Sequence, residues 1–148
     1  MAPPPAMRID PDSHLTYLMA KVGHLLERRV DSALADIGLT LRQFSALAHI
    51  ASRPGLSGAD LARALLTSPQ AVNTLVQRLL AAGLIERADG PSRQPRALTL
   101  SPAGLSTVER AARIATRAEA TALKLIDPDG VATTRQALQS LLRVLGAG

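Results

Sequence analysis

Ser68-Pro69-Gln70-Ala71-Val72-Asn73-Thr74-Leu75-Val76-Gln77-Arg78-Leu79-Leu80 is the stretch on which the reading of this chain turns. Ser68 before Pro69 reads as an N-cap and first helical residue: the serine hydroxyl accepts an otherwise orphaned amide, and proline has no amide to leave unpaired. From there Val72, Leu75, Val76, Leu79 and Leu80 recur at i, i+3, i+4, i+7 and i+8, the inward stripe of an amphipathic helix. The opposite face holds Gln70, Asn73, Thr74, Gln77 and Arg78. A solvated face would ordinarily carry Glu and Lys, whereas this one is uncharged amide and hydroxyl until Arg78, a composition suited to base edges.

Working outward, Thr40 with Gln43 and Ser57 with Asp60 have the spacing of capping boxes, the second weaker because Asp is shorter than Glu. These starts predict helices over 40–52, 57–66 and 69–82, with a tight break at Thr67-Ser68. Downstream, Leu84-Ile85-Glu86-Arg87 and Arg96-Ala97-Leu98-Thr99-Leu100 are short strand-like runs separated by turn formers, which predicts a hairpin with a basic tip. That order is a winged helix-turn-helix. Asn73 and Gln77 can bond bidentately to adenine and Thr74 can touch a thymine methyl, while Arg78 and the helix start at Ser68-Pro69-Gln70 can hold phosphates. Ser57, at the start of the preceding helix, joins these candidate DNA contacts. Arg93 and Arg96, flanking Gln94 in the hairpin loop, are expected to reach a minor groove or phosphates.

The acceptor-then-proline signal repeats at Asp10-Pro11, Ser101-Pro102 and Asp127-Pro128, bringing the expected helices to six. The first, over 10–36, places Leu15, Leu18, Met19, Val22, Leu25, Leu26 and Val30 at helical spacing. A second long helix, 102–126, offers a broad face of small residues, and the last, 130–146, carries Leu138, Leu141, Leu142 and Leu145. These flanks display more apolar surface than one small lobe can cover, which predicts a homodimer joined through the N- and C-terminal helices. The expected fold is therefore mostly α with a small β-hairpin wing. Residues 1–9, with Pro3-Pro4-Pro5, read as an extended arm. Residues 10–148 read as a single domain, in which 10–36 and 102–148 dimerise and 39–101 form the DNA-binding lobe.

Composition narrows the function. With 148 residues, 47% of them apolar and Tyr17 and Phe44 the only Tyr, Phe or Trp, one domain packs on Leu, Ala, Val and Ile. The absence of cysteine excludes disulfides, thiolate catalysis and Cys-ligated zinc. No nucleophile motif such as Gly-x-Ser-x-Gly is present, so an enzyme is not expected, and no cofactor either. No segment approaches the roughly 18 apolar residues of a membrane span, and the N-terminus lacks a signal-peptide core, which predicts a cytoplasmic protein. Seventeen Lys+Arg against 12 Asp+Glu, with Lys21 and Lys124 the only lysines, is an arginine-rich balance that suits phosphate and guanine.

Gly38-Leu-Thr-Leu-Arg-Gln-Phe-Ser-Ala-Leu, Leu61-Ala-Arg, the stretch from Ser68, Gly83-Leu-Ile-Glu-Arg and Leu100-Ser-Pro-Ala-Gly together resemble MarR-family regulators over nearly the whole chain. The resemblance implies a dimer of winged-helix lobes reading a double-stranded, pseudo-palindromic operator, acting as a ligand-responsive repressor. It often brings a small-molecule pocket between the lobe and the long helices. The family's usual Asp-Arg-Arg of the wing falls here on Ser92-Arg93-Gln94, which leaves Arg93 and Arg96 as the expected wing contacts.

The resemblance supplies the idea of an effector, expected to be a small anionic aromatic molecule. The sequence adds that Tyr17, Lys21 and His24 share a face of the first helix at i, i+4 and i+7, and that Arg42, Phe44 and His49 lie on the second. Tyr17, Lys21 and His24 also read as the edge of a dimer interface. Two other functions stay open. One is a metal-responsive regulator using His24, His49 and an acid; His14 and His24, about 15 Å apart along one helix, cannot share an ion. The other is a winged-helix protein-interaction module without DNA.

Overall fold

The computed structural model describes residues 10–88 and 97–146. Six α-helices and one two-stranded antiparallel sheet follow in the order α1 (Leu15–Leu34), α2 (Leu41–Ser52), α3 (Gly58–Ala64), α4 (Pro69–Ala81), β1 (Ile85–Arg87), β2 (Leu98–Leu100), α5 (Pro102–Leu123) and α6 (Pro128–Leu145). Both capping boxes form with both halves present, and Asp60 reaches the Ser57 amide at 3.1 Å despite its shorter side chain. Ser68, Ser101 and Asp127 each cap the helix whose first residue is the proline that follows.

The first helix departs from the expected single run over 10–36. Asp10 caps only a 3-10 turn, Pro11–Ser13; His14 is extended, and the α-helix begins at Leu15. Local bonds explain the break: the Asp10 carboxylate accepts from the Asp12 amide at 3.0 Å and Ser13 Oγ donates to the Asp10 carbonyl at 2.7 Å, competing with the helical ladder. At the other end Ala35–Ile37 tightens into a second 3-10 turn that closes on Gly38. The expected helix 102–126 ends at Leu123 because Asp127 precedes a proline and is drawn to extended backbone, leaving Leu125 91% exposed between helices. Among the helix-turn-helix elements α3 ends at Ala64, two residues before the expected boundary.

The strands pair Ile85 with Leu100, Glu86 with Thr99 and Arg87 with Leu98, a shorter ladder than expected, starting one residue later on the first strand and two later on the second. Residues 89–96, which carry the expected wing contacts Arg93, Gln94 and Arg96, lie outside the described residues. A bridge not foreseen from the sequence joins Leu56 to Leu98, with the Leu98 amide donating to the Leu56 carbonyl at 2.9 Å.

One core serves the lobe. Val72, Leu75, Val76 and Leu79 of α4 are buried with Leu47 and Ile50 of α2, Leu61 of α3, Ile85 and Leu98 of the sheet, and Val108, Ala111 and Ala115 of α5. From α1 only Val30 and Leu34 are buried, and α6 contributes none. The N-terminal half of α1 and the leucines of α6 therefore stand exposed within a single chain.

Candidate nucleic-acid interface

The helix that carries the candidate reading face is held from below and from both ends. Ser68 Oγ accepts from the Ala71 amide at 3.2 Å at the start of α4. At its end Gly83, with φ of 67°, takes the left-handed cap, and the Leu84 amide returns to the Leu79 carbonyl at 3.0 Å. With the apolar stripe buried, Gln70, Asn73, Thr74, Gln77 and Arg78 all stand exposed together with Ser68 and Pro69. Thr74, itself exposed, spends its hydroxyl hydrogen on the Gln70 carbonyl at 3.2 Å.

Ser57 is half-buried and engaged in its cap: its hydroxyl donates to Asp60 at 2.6 Å and accepts from the Asp60 amide at 3.1 Å. Asp60 also pairs with Arg63. The Ser57 hydroxyl, then the Ser57 amide, and then Arg63 hold the Asp60 carboxyl below its ordinary value.

Two residues near this face were not singled out from the sequence. Arg87, half-buried at the end of β1, lines a recess of about 210 Å³ with Gly58, Ala59, Pro69 and Asn73. Period-two alternation could have found it, since Arg87 shares the face of buried Ile85 while Glu86 points out. The other is Leu66, in the turn between α3 and α4, whose φ of 49° is left-handed. No pattern of spacing announces a backbone angle at a leucine.

The six candidate effector residues separate into different engagements. Lys21 Nζ lies 2.8 Å from an Asp12 carboxylate oxygen and 5.4 Å from the centroid of the Tyr17 ring, so Tyr17 and Lys21 are brought together with an acid already in place. The Asp12 hydrogen bond and charge raise the Lys21 pKa. Arg42 Nη1 instead donates to Thr67 Oγ1 at 3.4 Å, toward the turn before α4. Phe44 packs partly buried against the core, His49 is half-buried in the last turn of α2, and His24 is exposed. Among the described residues no three His, Asp or Glu side chains converge as a metal site needs.

A family model described as MarR family matches residues 37–94, a span that begins at the end of the 3-10 turn after α1 and includes α2, α3, α4 and β1. The chain is 37% identical over 118 residues to the HTH-type transcriptional repressor Rv2887 of Mycobacterium tuberculosis, covering 79% of this chain and 85% of the relative. A crystal structure of that MarR family protein in complex with DNA matches with a TM-score of 0.74 at 33% identity, over 86% of this chain and 97% of the other. Its complex with salicylic acid matches with a TM-score of 0.72 at 33% identity, over 86% and 96%.

Proposed function

The chain belongs to the MarR family, and from that premise we infer that it is a sequence-specific DNA-binding transcriptional regulator, a repressor released from its operator by a small aromatic acid. The observation that carries the reading is the exposed, acid-free row of Gln70, Asn73, Thr74, Gln77 and Arg78 on a capped helix whose Val72, Leu75, Val76 and Leu79 are buried, the form of helix that enters a major groove. A relative that is a repressor and has been crystallised with DNA supports it. Residues 39–101 form the DNA-binding lobe, with Arg93 and Arg96 as its wing contacts, and 10–36 and 102–148 join two copies. Such a regulator acts in the cytoplasm, where its DNA is, and performs no catalysis.

Selection of bound duplexes from a random pool tests the reading. The expected product is an inverted repeat with half-sites about one helical turn apart, roughly 34 Å. Recovery of no preferred duplex overturns it. On the recovered site, Asn73→Ala and Gln77→Ala should relax preference at particular base pairs by about 1–3 kcal/mol each. Arg78→Ala should weaken all sequences alike and flatten the salt dependence.

The effector reading draws support from the salicylic acid complex of the relative and from the cation that Tyr17 and Asp12 hold at Lys21. An aromatic carboxylate can exchange for Asp12 on Lys21 while its ring packs against neighbouring apolar side chains. Salicylate titrated into the protein–duplex complex should release the wild type and act more weakly on Lys21→Ala; equal release from both removes Lys21 from the site.

A further inference from the structure

The turn between α3 and α4 holds, among the described residues, one departure from an otherwise regular rule. Three helix ends in the lobe close in the same way, with a left-handed residue followed by an amide that reaches back five positions. Leu39 bonds to Leu34 at 3.3 Å, Leu84 to Leu79 at 3.0 Å and Thr67 to Ala62 at 3.1 Å. The left-handed residue is Gly38 in the first case and Gly83 in the second, with φ of 71° and 67°. In the third it is Leu66, at 49°, the only non-glycine residue with positive φ among the described residues. A Cβ is disfavoured there, and glycine is the usual occupant of this cap position.

Packing does not explain the leucine. Leu66 is 76% exposed, and among the described residues of 39–101 it is the only large hydrophobic side chain that stands exposed. It sits next to Thr67, which Arg42 holds, and two residues before Pro69, the first residue of the reading helix. A side chain that strains its backbone and stays largely exposed in the single chain points to a contact outside the fold.

We propose that Leu66 is an apolar DNA contact, packing on a thymine methyl or a deoxyribose where the reading helix enters the groove. This rests on the reading of the chain as a DNA-binding regulator. The contact adds apolar burial to a face otherwise built of amides, hydroxyls and arginine, and it gives a use to a residue that opposes the turn's own preference.

The test separates stability from binding. Leu66→Gly and Leu66→Asn, both of which accept left-handed backbone, should raise the Tm by roughly 2–4 °C while weakening binding to the selected duplex about tenfold. Leu66→Met keeps an apolar side chain and should bind within about twofold of the parent. Replacing thymine by deoxyuracil in the duplex tells the two apolar partners apart. A thymine contact makes the loss of the methyl cost the parent more than it costs Leu66→Gly, whereas a sugar contact costs both alike. Glycine and asparagine variants that bind as tightly as the parent overturn the proposal, as does a methionine variant as weak as the asparagine one. If the parent itself binds no duplex, the DNA reading fails first and the proposal falls with it, an outcome distinct from a parent that binds and variants that match it.

Discussion

Gly104 is the residue whose replacement the lobe tolerates least. A Cβ built on it would lie 1.8 Å from the Leu84 carbonyl oxygen, a backbone atom that cannot swing aside. That oxygen already accepts the Ser101 amide at 3.1 Å, and Ser101 Oγ donates to the Gly83 carbonyl at 2.6 Å while capping the Gly104 amide at 2.9 Å. Gly104→Ala must therefore open a joint made by several bonds, and we expect a loss of roughly 3 kcal/mol of stability in urea unfolding. A variant as stable as the parent would mean that α5 does not approach β1 this closely. The cap at Ser101-Pro102 could be read directly from the sequence, because its partner lies three residues away. The bond to Gly83 and the tightness at Gly104 could not, because they exist only once segments far apart in the chain have met.

At the scale of elements, α3 is the shortest helix, 7 residues, and leans on its cap. Asp60 there has a lowered pKa, first through the Ser57 hydroxyl, next through its amide, and then through Arg63. A carboxyl depressed in the fold contributes stability that is present above its unfolded pKa and is lost as pH falls through the folded value. Denaturation midpoints followed on acidification should accordingly fall less steeply for Asp60→Asn than for the parent, and the same slope for both would remove Asp60 from the balance. Helix existence was legible almost everywhere because each start carries a local signature, from Thr40-Gln43 to Asp127-Pro128. What escaped was competition between local signals, as where Asp10 and Ser13 close a separate turn. Pairing across the chain escaped too, as where Leu56 joins Leu98. Which side chains of α4 stand exposed was legible, since a buried stripe dictates what faces outward. The engagements of the candidate effector residues were less so, because a shared face on α1 says nothing about the Asp12 that folds back onto Lys21.

For the whole molecule, the unspent apolar surface lies on α1 and α6. Leu15, Leu18, Val22 and Leu25 of α1 and Leu138, Leu141, Leu142, Val144 and Leu145 of α6 are exposed in the single chain, far more than a stable monomer usually displays. In the proposed dimer they cover one another. Sedimentation at micromolar protein should give twice the 15.5 kDa chain mass, and Leu142→Glu together with Leu138→Glu should shift the population toward single chains and weaken operator binding. A 15.5 kDa species alone for the parent would count against the dimer.

The joint at Ser101 also acts as a fulcrum. One hydroxyl fastens the start of α5 to the end of α4, and α5 runs 22 residues from that point, about 33 Å at helical rise. By simple trigonometry, a swing of roughly 5° at the fulcrum displaces the distant tip of such an arm by about 3 Å, and the reverse movement is transmitted as faithfully. In the proposed dimer, whatever grips the two tips would set the distance between the two candidate reading helices, so a molecule bound near those tips could change the gauge of the pair without touching a base.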